Sequence, residues 1–317
     1  MEQYAEKQSG IERILKTSPE EEAALLRHFE RALKNQETDP YEKEKDPEDV
    51  EIIDGILARI SDFVHDYDGK TVPGLKAVNV HLIDTDKLTP EQKAAIESVD
   101  VGAICDFRTQ SAAVLPEKDS RLITAQRIVH ELMHLHAFTS LEAEKEPSSE
   151  SSPMLTIEGA KLYPRRIGFG VFDKTHSKRY FRELDEAIIE ELSSRFDARY
   201  FAQFPTLAPE LEIRTKMRQT VKRDAGEIAA VTTKQRGDGQ WNTSIRSWRY
   251  GDQRAKLHSL IHDIYEMHGS DFASEDEVFN VFAKAVMTGR LLEVARLVEG
   301  TFGKGSFVKL GRETMAQ

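Results

Sequence analysis

The sequence predicts an α+β fold: a small sheet packed on two long helices, with helical regions at both ends of the chain. Three observations lead there. Short, alternating, β-branched runs cluster between residues 77 and 172. Two long stretches with helical spacing lie among and after them, one carrying His130-Glu131-Leu132-Met133-His134 and one rich in glutamate. Residues 207–317 read as further helices, interrupted by a polar, glycine-bearing segment at 237–251. With 317 residues and 39% hydrophobic content, the chain can bury a substantial core.

The elements follow in order. Residues 1–70 form an acidic helical N-terminal region: residues 1–59 hold 16 Asp+Glu against 9 Lys+Arg. Ile11, Ile14 and Leu15, and again Ile52, Ile53, Ile56, Leu57 and Ile60, recur at helical spacing, so a peripheral helical hairpin is expected there, joined by the charged, proline-bounded linker Thr38–Pro47. A second segment, 71–205, holds the sheet and the two long helices. Strands are expected over Ala77–Ile83, Val101–Phe107 and Ser111–Leu115, the last two as a hairpin around Arg108-Thr109-Gln110. A helix follows from Arg121 to Phe138, capped by Asp119 or Ser120. After a polar loop, Glu144–Pro153, come a hairpin of Ile157–Tyr163 with Arg166–Phe172 and a helix from Tyr180 to Tyr200 that stops before Pro205. Residues 206–317 form a mostly helical C-terminal region.

Charge and cysteine content limit what the chain can be. A net charge of −11 argues against general affinity for nucleic acid or an anionic membrane. The single cysteine, Cys105, excludes an intrachain disulfide and fits a reducing compartment. No membrane-span-length apolar run and no leader-like N-terminus is visible, so a cytoplasmic protein is expected.

The chemistry concentrates in His130-Glu131-Leu132-Met133-His134. Positions four apart on a helix share one face, so His130 and His134 can offer ring nitrogens to one zinc ion. Glu131, between them in sequence, is placed as a general base that takes a proton from water activated by the zinc. His136 lies about 200° around the helix from His134 and is expected to pack elsewhere. A catalytic zinc needs a third protein ligand and an open position. Glu186 is the candidate, in Leu184-Asp185-Glu186-Ala187-Ile188-Ile189-Glu190-Glu191, because small Ala187 lets two helices approach. Glu190, one turn on, is positioned to accept a hydrogen bond from the far nitrogen of a ligand histidine. Glu183 and Glu191 are fallback ligands. A side chain that stabilises the oxyanion is sought among His176, Tyr180 and Tyr163. An extended substrate would pair with an edge strand, for which Ser111–Leu115 is the candidate.

This order of strand hairpin, His-Glu-x-x-His helix and glutamate helix resembles the gluzincin class of zinc peptidases, and within it the small minigluzincin type. Those domains often carry Asn-Glu-Ala-x-x-Glu; here the segment is Asp185-Glu186-Ala187-Ile188-Ile189-Glu190. The likeness spans roughly residues 75–200. It implies zinc on His130, His134 and Glu186, Glu131 as base, and a protein or peptide substrate. The 52 residues from His134 to Glu186 exceed the spacing of thermolysin-type enzymes.

Two other readings fit the same residues: a regulatory peptidase resembling the ImmA/IrrE type, with one cellular target, and a non-enzymatic interaction protein working through its basic C-terminal region. Residues 210–256 carry 11 Lys+Arg against 6 Asp+Glu, a surface expected to be solvated or paired within the molecule, with the acidic N-terminal region as one partner. His258 and His262 have ligand spacing without an adjacent Glu and are expected to pack between helices; the Gly300–Ser306 segment lacks the phosphate-loop order and reads as a turn.

Overall fold

A computed structural model of the chain describes residues 9–36, 39–98, 102–144, 153, 155–157, 159–221, 225–235 and 241–315. The fold is α+β. In chain order the elements are β1 (Arg13–Leu15), α1 (Pro19–Lys34), α2 (Pro47–His65), β2 (Val80–Leu82), α3 (Pro90–Ser98), β3 (Ala103–Asp106), β4 (Ser111–Val114), α4 (Arg121–His136), β5 (Thr139–Glu144), β6 (Leu155–Ile157), β7 (Ala160–Ile167), β8 (Gly170–Phe172), β9 (Arg179–Tyr180), α5 (Arg182–Tyr200), α6 (Ala208–Thr220), β10 (Ile228–Gln235), β11 (Trp241–Ser247), α7 (Gly251–His268), α8 (Glu275–Thr288), α9 (Leu291–Phe302) and α10 (Ser306–Glu313). The expected polar loop lies, at residues 145–152, outside the described residues.

Three sheets are present among the described residues, and α4 packs on the strands β3 and β4 of one of them. A three-stranded sheet runs β2-β4-β3, with β2 parallel and β3 antiparallel to β4. The expected edge strand, Ser111–Leu115, is therefore the centre of its sheet. Small, buried Ser111, Ala112 and Val114 let strands close on both sides, and the edge passes to β3. A six-stranded sheet runs β1-β5-β7-β8-β9, with β6 also on β7. Ile11, Ile14 and Leu15 are not helical: β1 lies parallel to β5, pairing Ile14 with Leu141. Three apolar residues cannot distinguish a helix turn from a strand when the partner is 127 positions away. Pro164 sits inside β7, next to the register shift between Ser140 and Leu141, where a missing N–H is tolerated. The third sheet, the β10–β11 hairpin, falls in a region expected to be helical and polar; residues 236–240 at its tip lie outside the described residues.

The helix α4 forms because its N-terminal amides are satisfied and nearly all of its sides are buried. Ser120 accepts from Ile123 N–H at 3.1 Å. The Glu210 carboxylate, from α6, accepts from the backbone of Arg121 at 2.9 Å and of Leu122 at 3.2 Å. An anion on a helix N-terminus also meets the positive end of the dipole. Leu122, Ala125, Val129, Leu132 and Met133 are fully buried. On α5, Ala187, Ile188, Ile189, Leu192 and Phe196 are fully buried as well, and the two helices pack together. Helix α2 is packed on α4 through Ile52, Ile53 and Ile56 rather than lying at the periphery. One continuous core draws on Ile11 and Phe29, on the α4–α5 pair, and on Ile264, Phe282 and Val298. Among the described residues no helix is long and apolar enough to cross a membrane.

Candidate metal centre

The helix α4 supplies the first two side chains. One turn apart, the rings of His130 and His134 are set at 70° with Nε2 atoms 3.2 Å from each other. Helix α5 brings in Glu186, whose Oε2 lies 3.4 Å from each of those two nitrogens. Ala187, buried beside Glu186, adds only a methyl group to the helix contact.

Two of the three groups are braced from behind. His130 donates through Nδ1 to Glu190 Oε2 at 2.7 Å, which leaves Nε2 with its lone pair toward the centre. The other oxygen of Glu190 accepts the backbone N–H of Arg249 at 2.9 Å. Beside Glu186, the fully buried Asp185 accepts from Phe169 N–H at 2.6 Å and from Arg179 Nη2 at 2.5 Å, while Arg179 Nη1 lies 3.9 Å from Glu186 Oε1. Gly168 permits this: its φ of +56° is costly for other residues, and a Cβ there would strike the Asp185 carboxylate.

The donor set fits a divalent zinc ion. In tetrahedral coordination, bonds of about 2.0–2.1 Å place neighbouring donors about 3.3–3.4 Å apart. The observed edges of 3.2, 3.4 and 3.4 Å make nearly that triangle, with the fourth corner free of a protein ligand from this group. Two imidazoles and a carboxylate are also the chemistry zinc favours. The electrostatics agree. Burial disfavours a charged His130, but the hydrogen bonds and charges of Glu186, Glu190 and Glu131 outweigh it and push the imidazole up to about 10. Burial would raise Glu186 too, yet the two histidines hold its carboxyl well below the usual range. Glu131 is 5% exposed and burial raises its carboxyl, partly offset by His130 and His134.

Of the residues expected to serve the site, His130, Glu131, His134, Glu186 and Glu190 are brought together. The fallbacks are not. Glu191 is engaged by Arg195, Arg254 and His258 on the far side of α5, and Glu183 stays partly exposed at its start. His136 is fully buried and donates to Leu132 O at 2.8 Å. His258 and His262 diverge, to Glu191 and Glu275. The three residues considered for oxyanion stabilisation lie elsewhere: His176 and Tyr163 stack on each other at 4.8 Å beside Glu144, and Tyr180 pairs with Val171 in the sheet. Tyr250 is the residue that lies beside the three donors. Its ring stacks on His130 at 5.9 Å and 18°; burial and the nearby Glu186 carboxylate push the phenol well up. Tyr250 caps α7 with a left-handed φ of +54°. Its local sequence, Trp248-Arg249-Tyr250-Gly251, gave only an aromatic among basic residues.

A cleft of about 670 Å³ opens against His130 and Glu190, walled by Gln126, Arg127, Trp248 and Arg249. The basic residues of 210–256 are partly consumed inside the molecule; among the described residues Arg214 grips Asp197 with two bonds of 2.7 Å, and Arg254 reaches Glu191 at 2.8 Å, neither carboxylate lying in the acidic N-terminal region.

No family model, curated protein or solved structure matches this chain. The likeness to gluzincins therefore stands on the chain's own residues.

Proposed function

We propose that this protein is a zinc-dependent metallopeptidase acting on a protein or peptide substrate. One observation carries the reading: His130 Nε2, His134 Nε2 and Glu186 Oε2 stand 3.2–3.4 Å apart, with Glu131 next in sequence to the first of them. A zinc ion on these three residues would supply Lewis acidity to the scissile carbonyl and to an attacking water. Glu131 takes the proton of that water and returns it to the leaving amine; its burial raises its basicity for this task. Tyr250, kept protonated by burial and by Glu186, is the donor for the oxyanion. Glu190, itself held by the backbone of Arg249, keeps His130 in the tautomer whose Nε2 would be free to bind the ion. Strand β3, an edge strand packed against α4, whose Cys105 thiol is raised by burial and then by the charge of Glu131, offers its backbone to an extended chain.

The test compares wild type with Glu131→Gln on a mixture of peptides read by mass spectrometry, with zinc measured in both proteins. Cleavage by wild type that falls by at least about 10²-fold in the variant, with zinc retained, is expected. Equal cleavage by both would remove the general base from the account.

A further inference from the structure

A second cluster outside the first centre carries the features of an ion site. Glu142 and Glu144 lie two apart on β5, so they share one face of the strand. His176 enters from the turn between β8 and β9. That turn is built around Asp173, whose carboxylate accepts from Ser177 N–H at 3.0 Å and Lys178 N–H at 3.3 Å. At its apex His176 has a φ of +57°, a backbone conformation that a side chain of this kind adopts at a cost. The ring is 1% exposed and lies flat on Tyr163, 4.8 Å away at 17°.

The protonation pattern of this ring decides what it can do. Nδ1 lies 3.1 Å from the carbonyl of Pro164 and can only donate to it. In the neutral ring Nε2 therefore bears a lone pair, and it points toward Glu144 Oε1 at 3.9 Å. Among the described residues neither His176 Nε2 nor Glu144 Oε2 has a hydrogen-bond partner, although both are buried. One donor atom from each of Glu142, Glu144 and His176 lies within 4.8 Å of the others. A lone pair facing two carboxylates is repulsive unless a cation stands between them. Lys16 and Arg165 approach from outside. Lys16 is paired with Glu142 but remains 60% exposed and 3.9 Å from Glu144, and Arg165 is 3.8 Å from Glu142. Neither reaches His176 Nε2.

We propose that Glu142, Glu144 and His176 bind a second divalent cation of the zinc or manganese class. One imidazole with two carboxylates suits those ions better than calcium or magnesium, which prefer oxygen alone. The ion replaces the exposed Lys16 ammonium and pins the β8–β9 turn onto β5. The next residues of the chain carry Arg179, which holds Asp185 and faces Glu186, so the second ion would fix the ground on which the first centre stands. The site does not depend on the peptidase reading.

The experiment uses His130→Ala/His134→Ala protein, in which the first centre is removed, dialysed against zinc or manganese and analysed by elemental mass spectrometry. One equivalent is expected to remain. Adding His176→Gln or Glu144→Gln should remove it. The same substitutions in wild type should lower uptake from two equivalents to one, and the retained equivalent shows that the variant is folded. If the second equivalent is absent from the double variant, or survives both substitutions, the proposal is overturned. A failure of the first centre would appear differently, as one equivalent in wild type that His134→Ala does not change.

Discussion

At the scale of single residues, the centre divides into groups that would touch an ion and groups that hold them. Glu190 belongs to the second kind. Its two oxygens are occupied, one by His130 and one by the backbone of Arg249, so its loss frees the ring to rotate and to change tautomer. Glu190→Ala is expected to weaken zinc binding by about 10–100-fold, measured by competition with a chelator, without abolishing it. Tyr250→Phe separates ring from hydroxyl. The stacking on His130 survives while the donor is lost, so kcat should fall by about 10²–10³-fold with zinc content and KM little changed. A parallel loss of zinc would instead make Tyr250 a structural brace of Glu186. The difference between these residues also explains what was legible. His130, Glu131 and His134 lie on one helix, and Glu186 and Glu190 on another, so helical geometry alone lets each set face the same way. Tyr250 and Arg249 reach the site only because the turn before α7 folds back over α5. No local pattern encodes that return.

At the scale of elements, α5 works on two faces. One presents Glu186 and Glu190 to α4; the other presents Glu191 to α7. Burial opposes ionisation of Glu191, but bonds from His258 and Arg254 at 3.1 and 2.8 Å, with the nearby Arg195, more than offset it and hold the carboxyl far below its ordinary 4.5. The sign follows. A carboxyl depressed in the folded state contributes stability that is complete above its ordinary value and is lost as pH falls below it. Thermal unfolding from pH 7 down to pH 3 should therefore show wild type losing more midpoint temperature below about pH 4.5 than Glu191→Gln does. Parallel curves would mean that the α5–α7 clamp contributes nothing through its charge. Long elements with one clear period, α4 and α5, were readable to within two residues at their ends. Short strands were read unevenly: the β3–β4 hairpin lies within two residues of its expected ends, whereas others were missed. β1, β5 and the β10–β11 hairpin owe their conformation to partners elsewhere in the chain, and their own side chains carry no clear period.

At the scale of the whole molecule, the centre sits where the parts of the chain meet. Its candidate donors come from α4 and α5, and the residues that cover and brace it come from Arg179 in β9 and from Arg249 and Tyr250 ahead of α7. The core is continuous through all of these, with apolar side chains from Ile11 to Val298, so the triangle of donors is held by packing from several directions rather than by one loop. A donor set made this rigid should take its ion without rearrangement. The most direct measurement is anomalous diffraction at the zinc edge from crystals grown with zinc. A peak about 2 Å from each of His130 Nε2, His134 Nε2 and a Glu186 oxygen is the predicted result. Zinc-loaded crystals with no peak inside that triangle would contradict the account.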